Sequence, residues 1–297
     1  MTRKNSNKIA NGQIIDSDSD QLITPSFMVE TNNGGRVEQV PGFNTVLALA
    51  SGFKGGRVPP RLRDPRLGSA NDIAFATPEF TFGQDDRQQI HDTTQLPWRC
   101  ICHIVMEGSS GRMLKGTGWL AGPKTVFTAG HNLFSSMYNH ETTRVWVMPA
   151  RSGDAVPFGY EISTSFGVHP KWKSDGDPNY DLGVIWLSGS LGELGSFGFA
   201  AWPDQQLTNL IVNNSGYPDD KPMGTQWFNA GRILELTPNT VTYGLDTEPG
   251  QSGSPVFYFD KNMNRIVVAV HAYGSNQNNI GVRITPEIYS TLSAWRR

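Results

Sequence analysis

The stretch Pro249–Val256, which reads PGQSGSPV, places Ser252 between Gly250 and Gly253 at the start of an apolar run. A serine hydroxyl is a poor nucleophile at neutral pH, so it needs a neighbouring base to take its proton. Because glycine permits unusual backbone turns, the amides of Gly250 and Ser252 can both point at a developing oxyanion, and one such donor lowers a barrier by about 3 kcal/mol. The stretch predicts Ser252 as a nucleophile with an oxyanion hole formed by Gly250 and Ser252.

Two motifs earlier in the chain supply the other groups that a reactive serine requires. Thr128–His131 reads TAGH, and Asn179–Ile185 reads NYDLGVI, with Asp181 entering an apolar strand. Histidine suits a general base because it titrates near neutrality, and a buried carboxylate fixes its tautomer and stabilises the imidazolium. We expect His131 to act as the base and Asp181 to orient it.

Each of these three signals has a plainer explanation when it is taken alone. Gly-x-Ser-Gly is a common turn, a lone histidine is more often structural, and an aspartate before a strand often caps a turn. Together they are more specific, because the order His, Asp, Ser, with separations of 50 and 71 residues, belongs to the chymotrypsin-like arrangement; the subtilisin and α/β-hydrolase folds use other orders. The spacing fits His and Asp from one β-barrel and Ser from a second.

From about residue 80, short apolar runs alternate with Gly, Pro, Asn and Asp, in a chain with 32 Gly, 19 Pro and only 18% charged residues. The runs are Trp98–Met106, Gly116–Ala121, Thr125–Ala129, Arg144–Met148, Leu182–Leu187, Leu210–Ser215, Thr240–Leu245, Pro255–Phe259, Ile266–His271 and Ile280–Ile284. This alternation is typical of an all-β barrel or sandwich. Only Thr285–Trp295 has the spacing of a helix. The predicted fold is all-β, a chymotrypsin-like double β-barrel with a C-terminal helix and an irregular N-terminal extension.

Residues 1–79 differ from the rest of the chain, since they are rich in Asn, Ser, Asp, Gly, Pro and Arg. Lys54–Arg66 cannot form a core strand, because proline removes donors and dense positive charge resists burial. We interpret Arg57–Arg66 as a solvated prosegment or linker rather than a binding patch. The sequence therefore predicts an N-terminal extension over 1–79 with little stable core of its own, expected to be a propeptide, and a two-barrel catalytic domain over 80–297.

Residues 80–297 resemble the glutamyl endopeptidases of the staphylococcal and bacillary type, a family of chymotrypsin-like serine proteases. The matching stretches are Gly83–Arg87, Asp92–Thr94, Pro97, Gly116–Trp119, Thr128–His131, Val168–Trp172, Asp181–Val184, Gly216–Pro222 and Gly250–Phe257. The resemblance implies a serine endopeptidase, made as a zymogen, that hydrolyses peptide bonds through an acyl-enzyme. It also implies cleavage after Glu and, less well, after Asp.

The family's pocket for the acidic side chain implies a substrate-binding role for His271 and Thr247 in this chain. A histidine and a hydroxyl can bind a carboxylate through hydrogen bonds, and Gly274 would leave an open strand edge for the substrate backbone. Without the resemblance, His271 and Thr247 would be read as a core histidine and an ordinary strand residue. Asp246 and Glu248 flank Thr247, so their carboxylates either weaken binding of an acidic substrate or point to solvent.

The resemblance also leads to a hypothesis for where the mature domain begins. The family's mature enzyme often begins with a small aliphatic residue whose free amine helps to bind the acidic side chain, whereas the matching region here is Glu79–Phe82. A mature N-terminus at Phe80 would follow a glutamate directly. Self-cleavage between Glu79 and Phe80 is therefore a hypothesis for how the chain matures.

Several classes of partner have no support in the sequence. With 25 Lys and Arg against 27 Asp and Glu, the net charge is −2, which gives no reason to expect nucleic acid or an anionic membrane. No apolar run is long enough to span a bilayer. We expect a monomer that acts on proteins or peptides. The N-terminus has no apolar core of a standard signal peptide, so the location stays open, although the resemblance implies secretion.

No cofactor or metal is expected, because the chemistry of the triad needs none. Cys100 and Cys102 lack a second cysteine pair and are expected to be free thiols. The remaining histidines have no ligand-like spacing and are expected to be surface or structural residues: His91, His103, His140 and His169. Two alternatives to the leading interpretation remain, a serine protease of another specificity and a catalytically silent protease-like module that binds peptides.

Overall fold

The computed structural model describes residues 8–10, 13–15, 36–37, 55–63, 67–69, 81, 83–135, 140–189, 191–260, 262–274 and 278–297. The strands are β1 Lys8–Ala10, β2 Gln13–Ile15, β3 Arg36–Val37, β4 Gly56–Arg57, β5 Gly68–Ser69, β6 Gln88–Gln89, β7 Ile101–Gly108, β8 Met113–Gly122, β9 Thr125–Thr128, β10 Phe134–Ser135, β11 His140–Pro149, β12 Ala155–Val156, β13 Glu161–Ser163, β14 Phe166–Val168, β15 Gly183–Trp186, β16 Gly198–Ala201, β17 Ile211–Gly216, β18 Trp227–Leu236, β19 Thr240–Tyr243, β20 Pro255–Phe259, β21 Arg265–Gly274 and β22 Asn279–Arg283. The helices are α1 Pro170–Asp175, α2 Asp204–Leu207 and α3 Pro286–Trp295, and short 3-10 turns cover Pro60–Leu62, Trp98–Cys100, Gly130–Asn132, Pro178–Tyr180 and Leu191–Leu194. None of the helices in these ranges is long and apolar enough to cross a membrane.

The first barrel is built from a largely antiparallel sheet with the strand order β10-β11-β7-β8-β9-β15-β14, and β13 lies on the other edge of β11. Its interior is aromatic at the centre. Trp119 and Phe127 are fully buried, and their rings meet edge to face with centroids 5.2 Å apart. Such side chains bury large apolar areas, which is the main term that stabilises a barrel of short strands.

The second barrel closes on itself. Its strands follow the order β20-β17-β18-β19-β22-β21, and β21 pairs back with β20. Val241, Val256 and Val268 belong to a buried cluster of this half of the molecule. α3 completes the main core with the buried side chains of Ile288 and Leu292. The structure thus confirms the prediction of an all-β double barrel with a C-terminal helix.

Two kinds of element were missed by the sequence analysis. Strand β18 was not predicted, because only some of its residues face the core and Asn229, Arg232 and Glu235 interrupt the apolar pattern. The prediction of a single helix was also wrong. Helix α1 has six residues, too few for a periodic signal, and is bounded by a cap from His169 and by Gly176, whose φ is +64°.

Part of the N-terminal extension is docked on the first barrel. β4 pairs with β12, and Val58 and Leu62 are fully buried against a cluster that includes Trp146. The Arg61 guanidinium lies 4.4 Å from the centre of the Trp146 ring, a cation–π contact. The expectation that Arg57–Arg66 is solvated is therefore wrong at Val58 and Leu62, whose apolar side chains anchor this part of the extension to the barrel.

Candidate active site

His131 and Asp181 form a two-point contact. Asp181 accepts a hydrogen bond from the His131 backbone amide at 2.7 Å, and its second carboxylate oxygen lies 2.6 Å from His131 Nδ1. Both side chains are fully shielded from solvent. The contact fixes the imidazole ring, and it holds the proton of a neutral ring on Nδ1, so that Nε2 is the unprotonated nitrogen.

Local sequence explains how this pair is held. His131 lies in the 3-10 turn Gly130–Asn132 after β9, and Asp181 follows the turn Pro178–Tyr180 before β15. A Cβ atom at position 130 would lie 2.8 Å from the Trp172 ring and 2.9 Å from Asp181 Oδ1. Only glycine permits this approach, so the TAGH motif is required for geometry as well as for its histidine.

Ser252 comes from the second barrel, but the first barrel holds its backbone. The Ser252 carbonyl accepts hydrogen bonds from the Thr117 amide at 3.0 Å and from Asn132 Nδ2 at 3.0 Å. Asn132 is the residue after His131, so the base and the serine loop share an anchor. The Ser252 hydroxyl lies 3.3 Å from the Ala272 carbonyl, to which it donates.

The glycines around Ser252 have left-handed backbone conformations. Gly250 has a φ of +96° and Gly253 a φ of +89°. A Cβ atom at position 253 would lie 2.2 Å from the Thr117 carbonyl oxygen, and one at position 250 would lie 2.5 Å from the Tyr217 carbonyl oxygen. The Thr117 hydroxyl also donates to the Gly250 carbonyl at 2.8 Å. The loop therefore packs against the first barrel in a form that other residues cannot adopt without strain.

The residues predicted to bind substrate lie on the second barrel. His271 is fully buried on β21, and its Nδ1 is 2.6 Å from the Tyr243 hydroxyl. Thr247 is also fully buried, and its hydroxyl has no hydrogen-bond partner among the residues that the structure describes. Gly274 pairs with Asn279 on one edge of its strand. β20 pairs with β21 only as far as Val270.

Of the two acidic residues beside Thr247, Asp246 does not point to solvent. Asp246 is buried and accepts a hydrogen bond from the Asp86 amide at 2.8 Å. Glu248 accepts one from the Thr81 hydroxyl at 2.9 Å. Both carboxylates are thus engaged by the segment that precedes the first barrel.

Tyr273 is an ionisable residue close to Asp181. Burial, together with the nearby Asp181 and Asp177 carboxylates, raises the pKa of Tyr273 above its usual value, so this phenol stays protonated at neutral pH.

Cys100 and Cys102 are buried free thiols. Within the described ranges, no group of three or more His, Cys, Asp or Glu side chains is arranged to hold a metal ion.

Sequence reasoning missed four residues that shape this site: Arg87, Thr117, Asn132 and Tyr243. Thr117 lies in a motif that carried the family resemblance, but nothing local indicated that it would hold the Ser252 carbonyl. The others act across long separations in the chain. Tyr243 reaches His271 over 28 residues and Asn132 reaches Ser252 over 120, so only the fold could reveal them.

This double barrel, with a His–Asp pair in one half and a glycine-flanked serine in the other, defines a chymotrypsin-like serine endopeptidase. A solved structure of a Glu endopeptidase in complex with MPD is similar to it, with a TM-score of 0.64 and 26% identity over 72% of this chain and 97% of that chain. The glutamyl endopeptidase of Bacillus licheniformis is 38% identical over 222 residues, which are 72% of this chain and 68% of that protein. The chain belongs to the glutamyl endopeptidase family.

A second relative carries a different name. The extracellular metalloprotease of Bacillus subtilis is 31% identical over 225 residues, 75% of this chain and 72% of that protein. No protein-family model matches the chain. The comparisons confirm the predicted fold, family and enzyme class, and they indicate that its substrates are proteins or peptides.

Proposed function

We propose that the enzyme cleaves peptide bonds after glutamate, and less readily after aspartate, with Ser252 as nucleophile, His131 as general base and Asp181 as the group that orients the base. The observation that carries the proposal is the two-point contact of Asp181 with His131 beside the serine loop. This contact supplies the tautomer that a general base needs. The pair belongs to the first barrel and lies beside the loop of the second barrel that carries Ser252.

The proposed reaction proceeds through an acyl-enzyme on Ser252. Ser252 Oγ attacks the carbonyl carbon while His131 Nε2 takes the hydroxyl proton, and the Asp181 carboxylate stabilises the imidazolium that forms. His131 then returns the proton to the leaving amine, which leaves an acyl group on Ser252. Water, activated by the same imidazole, attacks the ester and releases the acid. Because both partners of the ion pair are shielded from solvent, salt screens their attraction little.

The oxyanion hole is proposed at the amides of Gly250 and Ser252. The left-handed conformation of Gly250 supports this role, because it turns the loop just before the nucleophile. The two donors to the Ser252 carbonyl, Thr117 and Asn132, hold the loop from the opposite side. A preorganised donor pair of this kind stabilises charge without reorganising during the reaction.

The acidic preference rests on His271 and Thr247. The relatives named glutamyl endopeptidase support this preference, and so does the buried Thr247 hydroxyl, which is available to donate to a carboxylate. With the Tyr243 hydroxyl on Nδ1, His271 can carry its proton on Nε2 and donate it to the same carboxylate. Gly274 would present its strand edge to the substrate backbone.

We also propose that the enzyme is made as a precursor and acts as a monomer without nucleic acid, membrane or cofactor. Residues 1–79 would form the propeptide, and 80–297 the protease domain. The hypothetical cleavage between Glu79 and Phe80 falls outside the described residues. The glutamate before this bond supports the hypothesis, since an enzyme with the proposed preference would recognise it.

The test uses five peptides that differ only in the residue before the scissile bond, namely Glu, Asp, Gln, Lys or Phe. The full chain is compared with Ser252→Ala, and a fluorophosphonate labels the activated serine. We expect cleavage after Glu, weaker cleavage after Asp, labelling of the native chain alone, and no activity in the variant. Mass spectrometry of the same samples would detect a new N-terminus at Phe80.

The alternatives give different results. Cleavage after Lys or Phe, still lost in Ser252→Ala, would keep the triad and discard the pocket formed by His271 and Thr247. Failure of both cleavage and labelling in a sample that mass spectrometry shows to begin at Phe80 would indicate a protease-like binding module.

A further inference from the structure

A buried arginine lies beside the nucleophile loop and takes no part in the chemistry described so far. The Arg87 side chain is only 1% exposed, and its guanidinium lies 2.9 Å from Asp85 and 2.6 Å from Asp220. Lys221 Nζ contacts the same Asp85 carboxylate at 2.6 Å. Burial alone would raise the pKa of Asp85, but hydrogen bonds from Arg87 and Lys221 outweigh burial and lower it. The four charges balance, so this ionic cluster is neutral.

The same guanidinium reaches the residue before the nucleophile. Arg87 Nη1 donates to Gln251 Oε1 at 3.2 Å, and the other end of this amide donates to Asn214 Oδ1 at 3.2 Å. Asn214 in turn donates to the Ser254 hydroxyl at 2.7 Å. Gln251 is 1% exposed. Positions 251 and 254, which bracket the nucleophile, are therefore held by one buried network that starts at Arg87.

The segment that carries Arg87 also holds the loop on the pocket side. Its Asp86 amide donates to Asp246, and Thr81 donates to Glu248. Gln251 Oε1 accepts a second hydrogen bond from the Glu248 amide at 3.2 Å. The loop from 246 to 251 is thus hydrogen-bonded to Thr81, Asp86 and Arg87. Of these three, Arg87 binds the residue next to the nucleophile.

We propose that Arg87 is a positioning residue for the reaction, which fixes Gln251 and through it the backbone that presents Ser252 and the oxyanion amides. This inference rests on the proposed role of Ser252 as nucleophile. Arg87 does not touch the reacting atoms. Its contribution is alignment, and misplacing reacting groups by about 1 Å can cost on the order of 100-fold in rate.

Lysine cannot replace this arginine. The planar guanidinium donates in fixed directions to Asp85, Asp220 and Gln251 together, whereas an ammonium is a compact point charge. Arg87→Lys keeps the net charge of the ionic cluster but loses the simultaneous contacts. Lys221 offers a matched control, because it binds Asp85 and Asp220 in the same cluster and makes no hydrogen bond to Gln251 among the described residues.

The experiment compares the full native chain with Arg87→Lys and Lys221→Gln. It measures kcat and KM on the Glu peptide, the rate of fluorophosphonate labelling, and the thermal midpoint by circular dichroism. The fluorophosphonate has no acidic side chain, so its rate reports alignment of Ser252 independently of the pocket. We expect Arg87→Lys to lower kcat and the labelling rate together by about 10- to 100-fold with KM little changed. Lys221→Gln should keep both rates near native.

Other results would overturn the inference. If Arg87→Lys has native kcat and labelling, or if Lys221→Gln loses as much as Arg87→Lys, the cluster has a structural role only. If Arg87→Lys does not fold, Gln251→Met decides in its place: a slow labelling rate supports positioning through Gln251, and a native rate excludes it. A native enzyme that begins at Phe80 and is neither labelled nor active would refute the proposed function, and this inference with it.

Discussion

His131 and His271 are both buried histidines whose Nδ1 lies 2.6 Å from a neighbouring side chain, but their partners differ. His131 faces the Asp181 carboxylate, whereas His271 faces the Tyr243 phenol. A carboxylate stabilises the imidazolium that forms when a base accepts a proton, and a phenol carries no charge to do so. We therefore expect the ring of His131 to serve proton transfer and the ring of His271 to donate a hydrogen bond to an anion.

The largest expected effect comes from a substitution that breaks the pair of His131 and Asp181. In Asp181→Asn, an amide that donates to Nδ1 would force the proton of the neutral ring onto Nε2, where it blocks the base. We expect kcat to fall by about 10⁴-fold, with the ratio of cleavage after Glu to cleavage after Gln unchanged. Steady-state kinetics on the two peptides measure both quantities. A change in that ratio would show that Asp181 also influences the pocket.

The second effect concerns the pocket region. His271→Ala should lower kcat/KM on the Glu peptide by about 10- to 150-fold, the equivalent of one hydrogen bond to a charged group of about 1.5–3 kcal/mol. Fluorophosphonate labelling of Ser252 should stay near the native rate. The matched control is the Gln peptide, on which the variant should lose little. Equal losses on both peptides would contradict a role in selecting the charge.

A smaller effect is expected from the partner of His271. Tyr243→Phe keeps the ring and removes the hydroxyl that fixes the tautomer of His271. Because this is one hydrogen bond of about 1 kcal/mol, kcat/KM on the Glu peptide should fall roughly 5-fold, and the thermal midpoint should change little. If the loss matched that of His271→Ala, the phenol would contact the substrate directly.

A third buried histidine, His103, has a cationic partner, and we expect its protonation to change the stability of the fold. Its Nδ1 lies 2.8 Å from Arg151 Nη1, and burial, with the Arg151 and Lys115 charges, lowers the pKa of His103 well below 6.5. The unfolded chain therefore binds a proton that the folded chain excludes, and stability is lost as pH falls below about 6.5. At pH 5.5 the loss should be on the order of 1 kcal/mol. His103→Gln should lack this part of the decline in urea unfolding between pH 7.5 and 5.5.

The sequence could single out His131, Asp181 and Ser252 as a candidate triad because each lies in a short local motif and because their order in the chain is specific. The strands were predictable where both faces are buried, as in β8 and β20. β18 was missed because its outer face is polar. Tyr243 and Arg87 were missed for a different reason, since their partners lie 28 and 164 residues away. Such contacts arise from strand register and barrel closure, which no local pattern encodes.

The two cysteines, Cys102 on β7 and Cys100 in the turn just before it, have a practical consequence. Burial raises the pKa of Cys100 to about 11 and that of Cys102 well above its usual value, and the thiolate is the form that reacts with alkylating agents. They are the only cysteines in the chain. Iodoacetamide can therefore modify the native protein only as fast as the barrel opens. The rate of this alkylation, followed by mass spectrometry, therefore reports local opening of the barrel without any engineered cysteine.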